Sequence, residues 1–451
     1  MTVTMAWMRV AVFGLLGLAA SVAVAQTPLP DALRKAGDSV IEALRNDDLA
    51  AIEARFSERM RTQLPHDKFV ATGAQIRQQI GLLERCGEPL SRHREGDTIV
   101  NYRCEFAVTP MTVTLGWNDR GELSGLFFLP IANAAPLALP PIVGEEALTT
   151  GAKGWPLPAT LTRPASPRLP PTVLLVHGSG PNDRDETIGP NKVFRDLAVG
   201  FASKGIASLR YEKRTRALGL RFTTELKNWT LDDEIIDDAV AALKLLAARR
   251  NRGPLFLVGH SEGAWLAPRI AARARAAGVP LAGIVMLAAN ITPLDDVLVY
   301  QYEFGAALPA PTVTPAMVDD ARQKRDHVKR LLARGVANPD EALPLDMPAS
   351  AWLDMGRYDP AATLLAQPGL PALLTFGERD YQVRIDEKRL WEERLGDRPQ
   401  TTIVAFAGLN HLLIEGEGPM SPVEYNKPGH VAPLLIATVA RWIDEHARPA
   451  R

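Results

Sequence analysis

The stretch Leu255-Phe256-Leu257-Val258-Gly259-His260-Ser261-Glu262-Gly263 decides how this chain is read. Its apolar opening is a short run of the kind that a fully buried strand requires, and residues 264–277 take up helical spacing directly afterwards. Between the two stands Gly-x-Ser-x-Gly. A strand that passes into a helix within so few residues must turn sharply, and Gly259 and Gly263 have no side chains to collide in that turn. Ser261 is then carried out at the top of the strand. The five-residue pattern alone is common by chance; the strand before it and the helix after it give it weight.

Working outward, the same grammar recurs. Short apolar runs at residues 172–176, 206–211, 284–288, 372–376 and 402–406 alternate with helical stretches, among them 231–246, whose start Thr230 and Asp232 can cap, and a final helix over 433–446. That alternation predicts an α/β domain over residues 145–451, a mainly parallel sheet covered by helices on both faces. It is interrupted at 290–368 by a mostly helical, polar insertion. Upstream the period differs. Leu33, Val40, Ile41 and Leu44 recur at helical spacing, as do Leu49, Ile52, Phe56 and Met60 in a second helical stretch. Residues 98–108, 111–117 and 123–129 then alternate like strands, the last two joined by a turn at Asn118-Asp119-Arg120-Gly121. Residues 29–129 thus read as a small α+β domain, tied to the larger one by a linker over 130–144 that Pro136, Pro140 and Pro141 stiffen.

The 451 residues are 46% hydrophobic and 23% charged, ordinary for a globular chain with a sizeable core. Lysine plus arginine number 51 against 52 aspartate plus glutamate, so the net charge of -1 creates no field that would select nucleic acid. Arg9 precedes an apolar run over residues 10–24, and Ala23-Val24-Ala25 supplies the small residues a signal peptidase needs. Residues 1–25 read as a cleaved export signal, because the run is shorter than the roughly 20 apolar residues of a membrane span. After cleavage no stretch of spanning length remains, so periplasmic or secreted localisation is expected. In an oxidising compartment Cys86 and Cys104 suggest one disulfide. The alternation of Val100, Tyr102, Cys104, Phe106 and Val108 leaves two buried thiols as the other reading.

A serine hydroxyl is a poor nucleophile at neutral pH and needs a base beside it, with donors ready for the oxyanion that develops. Two loops after later strands offer the partners: Gly377-Glu378-Arg379-Asp380 and Gly408-Leu409-Asn410-His411. Asp380 would orient His411, and His411 would take the proton from Ser261. Glu378 is the alternative acid; His430 and His446 are alternative bases, worse placed in or beside the last helix. His260 reads as a packing residue and His177 as a turn-stabilising one. The oxyanion donors expected are the N–H of Glu262 and, after the run at 172–176, that of Ser179, with Gly178 and Gly180 one residue to either side.

These residues resemble the α/β-hydrolase superfamily, and within it exported carboxylesterase-like hydrolases that carry a small N-terminal α+β domain of unassigned role. The stretch from His177 to Glu186 (HGSGPNDRDE) carries the most specific part of the likeness, followed by Leu209-Arg210-Tyr211-Glu212-Lys213-Arg214, the serine turn, and the Asp380 and His411 loops. The resemblance implies an α/β-hydrolase fold, with nucleophile, acid and base in that chain order. It also implies hydrolysis of small or short-chain carboxylic esters through an acyl-enzyme. The insertion at 290–368 would then be a lid, with Tyr300, Tyr302, Phe304 and Trp352 as candidate walls of an acyl pocket. Arg184, Asp185, Arg210 and Arg214 either bind an anionic part of the substrate or brace the loop of Ser179; their alternating signs favour bracing. A peptidase or acyl transferase of the same fold, or an inert binding protein, are the competing readings. No metal cluster or dinucleotide fingerprint occurs in the sequence, so neither metal nor cofactor is expected.

Overall fold

The computed structural model describes residues 29–94, 97–107, 111–130, 143–164, 169–250, 252–309, 311, 313–338 and 342–447. The expected export signal and residues 131–142 of the expected linker lie outside them. Two compact units divide the chain after Asn133.

In the first unit, helices Asp31–Arg45, Leu49–Glu53, Glu58–Gln63 and His66–Ile80 precede an antiparallel sheet. The second helical stretch is broken where one periodic helix was expected. Phe56 pairs with Leu123 in a β-bridge, and the Ser57 hydroxyl then caps a new helix by accepting from Met60 N–H. Strands Asp97–Phe106, Met111–Trp117 and Leu123–Pro130 pair in sequence. The turn before the last of them is fixed by Asn118, whose Oδ1 accepts from Arg120 and Glu122 N–H, and by Gly121 at φ 70°. Two shorter strands, Leu83–Cys86 and Leu90–Arg94, pair one after the other along the remaining edge of Asp97–Phe106 and were not expected. Cys86 lies opposite Cys104 across that pairing, and the two are joined in a disulfide.

The second unit carries an eight-stranded sheet. In spatial order its strands are Thr401–Phe406, Ala372–Gly377, Gly283–Leu287, Leu255–His260, Thr172–Val176, Ala207–Tyr211, Leu157–Pro164 and Val143–Thr150. The first six are parallel; the last two complete one edge as an antiparallel hairpin. Val143 and Gly144, expected in the linker, pair with Pro164 and Arg163 in that hairpin, and Pro130 pairs with Met111.

The parallel strands are mostly apolar because both faces are covered. Leu174, Val176, Leu257, Ile284 and Met286 pack into one core with residues of helices Asp237–Ala247, Glu262–Ala276 and Asp386–Leu395. Their neighbours Val173, Leu175, Phe256, Val258, Val285 and Leu287 pack into the other, with residues of Val193–Ser203 and Pro433–Ala447. From Thr172–Val176 the chain moves to one side to form Ala207–Tyr211, then crosses back to form Leu255–His260 on the other. The loops after Thr172–Val176 and Leu255–His260 therefore leave the sheet side by side at its switch point, the place where open sheets of this kind bind ligands. The insertion is helical as expected, with Leu294–Ala306, Pro315–Arg334, Ala349–Gly356 and Pro360–Leu365. Among the described residues no helix is long and apolar enough to cross a membrane.

Candidate active site

Ser261 lies between the end of Leu255–His260 and the first residue of Glu262–Ala276, at φ 52° and ψ -114°. That left-handed conformation is costly for a residue with a side chain, about 1–3 kcal/mol, and persists only where the surroundings impose it. The flanking glycines show how they do so. A Cβ on Gly259 would stand 2.2 Å from Gly263 O, and one on Gly263 would stand 2.2 Å from Val176 O. Neither backbone could yield without opening the turn. The Ser261 N–H donates to Leu287 O at 2.8 Å, tying the turn to the next strand.

Asp380 and His411 come together from the loops that follow Ala372–Gly377 and Thr401–Phe406. Both side chains are buried, and His411 Nδ1 lies 2.7 Å from Asp380 Oδ2. The other carboxylate oxygen accepts from the N–H groups of Gln382 and Val383, each at 2.8 Å, so both oxygens of Asp380 are committed. The two loops touch through Gly377, where a Cβ would meet Leu409 O at 2.2 Å. Asn410 closes the tight turn around His411 by accepting from Leu412 N–H at 2.9 Å. Glu378, the alternative acid, is exposed. His430 pairs with Asp196, and His446 is spent on its own helix at Trp442 O. Among the described residues no hydrogen bond joins the Ser261 hydroxyl to His411. Such contacts are often long before substrate binds and tighten in the complex.

His260 does more than pack. Its Nε2 lies 2.8 Å from His411 O and its Nδ1 3.1 Å from Glu186 Oε2, with both side chains buried. Burial by itself pushes the pKa of His260 down, but the Glu186 carboxylate outweighs it and the net direction is up. The ring is hydrogen-bonded through Nε2 to His411 O, and the Nδ1–Glu186 approach is a charge contact. The second oxygen of Glu186 accepts from Gly178 N–H at 2.7 Å. Glu186 thereby links the loop after Thr172–Val176 to the loop of His411, and its carboxyl is held below the usual range by His260 against the effect of burial. His177 is packed between the rings of Phe194 and Tyr211, and burial pulls its pKa down to about 4.

The same contacts narrow the oxyanion donors. Gly178 N–H is taken by Glu186, whereas those of Ser179 and Glu262 find no acceptor among the described residues. Gly178 O accepts from Asn182 Nδ2 at 3.0 Å and from Lys213 Nζ at 3.1 Å, and Ser179 O from Asn182 at 3.2 Å. A Cβ on Gly178 would lie 3.2 Å from that of Ser261, so this loop passes directly over the serine.

Arg184, Asp185, Arg210 and Arg214 are braces. Arg210 is buried between Asp185 at 2.7 Å and Glu145 at 2.6 Å, Arg214 meets Asp238 through two nitrogens, and Arg184 meets Glu212 at 2.8 Å. With these charges committed, none is poised for a substrate anion. Lys213, Glu234 and Glu186 carry no local motif and escaped the sequence reading. Their partners lie far along the chain; Lys213 and Glu186 were marked only by their places inside the two most specific stretches, and Glu234 by nothing local.

The pocket residues divide. Tyr300 is partly buried on helix Leu294–Ala306 with the Arg384 guanidinium 4.6 Å above its ring. It leads through Phe304 to Tyr381, the neighbour of Asp380 in the chain. Burial raises its pKa, and the charge of Asp380 adds to that rise against Arg384. Tyr302 is partly buried on the same helix. Trp352, at 2% exposure, packs on Ala349–Gly356 into the apolar core on one face of the sheet. Among the described residues no group of His, Cys, Asp and Glu could hold a metal ion.

Comparison with known proteins adds to this geometry. Residues 173–423 match the alpha/beta hydrolase family. Residues 37–126 match a family described as a protein of unknown function, DUF3887. Over 350 residues the chain is 37% identical to Esterase EstD of Thermotoga maritima, an alignment covering 76% of this chain and 79% of that protein. An esterase of Pyrococcus furiosus is similar in structure with a TM-score of 0.43 at 15% identity, over 70% of this chain and 96% of its own. Est1E from Butyrivibrio proteoclasticus gives 0.42 at 14% identity, over 66% and 98%.

Proposed function

The chain belongs to the alpha/beta hydrolase family, and from that premise we propose that it is an exported serine hydrolase of small or short-chain carboxylic esters, working through an acyl-enzyme. The observation that carries the reading is the buried Asp380–His411 pair, 2.7 Å apart on successive strand ends of the sheet that presents Ser261 in its strained turn. The 37% identity to a protein named an esterase supports ester hydrolysis over peptide hydrolysis or acyl transfer.

In this mechanism His411 Nε2 removes the Ser261 proton as Oγ attacks the ester carbonyl. Asp380 keeps the other nitrogen protonated and stabilises the imidazolium. The carbonyl oxygen, now an alkoxide, is met by the N–H groups of Glu262 and Ser179. Collapse of the tetrahedral intermediate breaks the bond to the alcohol, which leaves with the proton from His411. Water repeats the sequence on the acyl-serine, releasing the acid and restoring the hydroxyl. The insertion at 290–368 acts as the lid, with Tyr300 and Tyr302 toward the acyl group. The reading of residues 1–25 and the disulfide between Cys86 and Cys104 support export.

Replacing Ser261 by Ala tests the assignment. Turnover of short-chain aryl esters is expected to vanish while the circular dichroism spectrum is unchanged, and a fluorophosphonate probe is expected to label the parent chain only. Activity retained in that variant removes Ser261 from the reaction.

A further inference from the structure

The buried lysine beside the serine turn has no part in the proton relay, yet it touches both halves of the proposed oxyanion site. We infer that Lys213 is a positioning residue that sets the two oxyanion donors in register, an inference that rests on the serine-hydrolase reading above. Its Nζ donates to Gly178 O at 3.1 Å, to the Glu262 carboxylate at 3.0 Å and to the Glu234 carboxylate at 3.0 Å, with its side chain only 3% exposed. Its own N–H donates to Asn182 O at 3.1 Å, and Asn182 holds the Gly178 and Ser179 carbonyls.

The geometry of the peptide unit explains why this matters. In a trans peptide the C=O and the following N–H belong to one plane and point in opposite directions. Fixing Gly178 O with an ammonium therefore aims the Ser179 N–H the other way. The cation also polarises that amide, which strengthens its N–H as a donor. On the opposite side the Ser261 carbonyl accepts from Trp265 N–H at 2.9 Å, which orients the Glu262 N–H by the same rule. The Glu262 side chain is then drawn to the same ammonium. One buried charge thus spans two backbone segments that no strand pairing connects at this height.

An ammonium in this position is expensive to desolvate unless it is matched, and it has two carboxylates and a carbonyl for partners. Burial acts to lower the pKa of Lys213, but Glu234 and Glu262 outweigh it and keep the cation. Glu234 is supplied by a π-turn at Asp232–Ile236, an irregular piece of helix that swings this carboxylate to the lysine. A lysine needed only for packing would not require that arrangement, since an apolar residue of the same volume would fill the space at lower cost.

The experiment is Lys213→Met, with Glu262→Ala as a second variant that keeps the backbone donor but cuts its tether while leaving Lys213 paired to Glu234. Each is assayed on a short-chain aryl ester after the active sites have been titrated by the burst of released phenol, so that kcat refers to folded, reactive enzyme. Lys213→Met is expected to lower kcat about 100-fold, and Glu262→Ala about 10-fold, with KM little changed. Affinity for a trifluoromethyl ketone, which mimics the tetrahedral intermediate, is expected to fall in parallel with kcat. A purely structural lysine would instead reduce the titrated fraction and leave kcat per site alone. If Lys213→Met does not fold, Glu262→Ala decides. The inference is overturned if kcat per titrated site in the folded variants stays within about threefold of the parent, or if only KM moves. Should the parent chain itself fail to react with a fluorophosphonate at Ser261, the serine-hydrolase reading falls, and that result is distinct from a lysine without effect.

Discussion

Replacing Asp380 by Asn should reduce kcat on a short aryl ester by about 10,000-fold at neutral pH while leaving the fold intact, and the reason is written in the contacts of the carboxylate. One oxygen accepts from two backbone N–H groups, Gln382 and Val383, and the other faces His411 Nδ1. An amide in this place has one acceptor and one donor end. Turning its NH2 toward the two N–H groups would leave two buried donors unmet, at about 1–3 kcal/mol each, so the amide oxygen stays with them. The NH2 is then forced against His411, Nδ1 becomes an acceptor, and the ring proton moves to Nε2. In that tautomer the nitrogen facing Ser261 has no lone pair with which to take its proton. The stated loss corresponds to about 5 kcal/mol of transition-state stabilisation. Steady-state hydrolysis with active-site titration measures it, and Glu378→Gln, a change at an exposed neighbour, should leave activity unchanged. A residual rate within about tenfold of the parent would refute both the tautomer argument and the role of Asp380.

Two further outcomes concern stability. His177 is neutral in the folded chain, its pKa pulled down by burial to about 4 from an ordinary value near 6.5, so the stability it contributes is complete above pH 6.5 and is lost as pH falls toward 4. In urea unfolding followed at pH 7 and pH 5, the parent should lose roughly 2 kcal/mol more than His177→Phe, and identical pH dependence in the two would show that this histidine is not buried neutral. The disulfide closes a loop with a sequence separation of 18, and replacing Cys86 and Cys104 by Ala should cost the first unit about 3 kcal/mol in the same assay; no change would mean that the bond adds nothing to the stability of that unit.

How much of this was legible in the sequence depended on burial. Parallel strands covered on both faces read as nearly continuous apolar runs, and Thr172–Val176 and Leu255–His260 stand out as such runs whose first residues can be placed from composition. The edge hairpin could not be read that way. VGEEALTT and LPATLTRP mix glutamate, threonine and proline, and they are strands because the sheet edge recruits them. LSRHR in the first unit is a still plainer case, a polar segment held by pairing with Asp97–Phe106. Phe56 kept helical spacing with its neighbours but was claimed by Leu123, so that tertiary pairing overrode the local period. In the candidate site, the places of Ser261, Asp380 and His411 after strands were legible because each follows a readable strand. Glu186, His260 and Lys213 were not assigned their contacts, since those are made to residues brought close only by the fold: Lys213 to Gly178, 35 positions away, and His260 to His411, 151 positions away.

The placement of the buried charges argues further. A buried ion pair adds little to stability compared with apolar residues of the same volume, so selection for stability alone gives no reason to accumulate them. Yet Glu186, Lys213, Arg214, His260, Asp380 and His411 are buried at or beyond the carboxyl ends of the parallel strands, while Asp196, Glu234 and Asp238 are buried on helices and Arg398 just before Thr401–Phe406. The strand interiors beneath them are nearly free of charge, with Arg210 the exception near the end of its own strand. Loops beyond the strand ends have no continuous ladder of backbone hydrogen bonds to register them, and a hydrolase needs several such loops aligned to within a fraction of an ångström. Charged hydrogen bonds are directional where apolar contacts are not, and removing one partner leaves an uncompensated charge that the loop cannot relax away cheaply. Glu186 holding both Gly178 and His260, and Lys213 holding both Gly178 and Glu262, thus do for the loops what strand pairing does for the sheet.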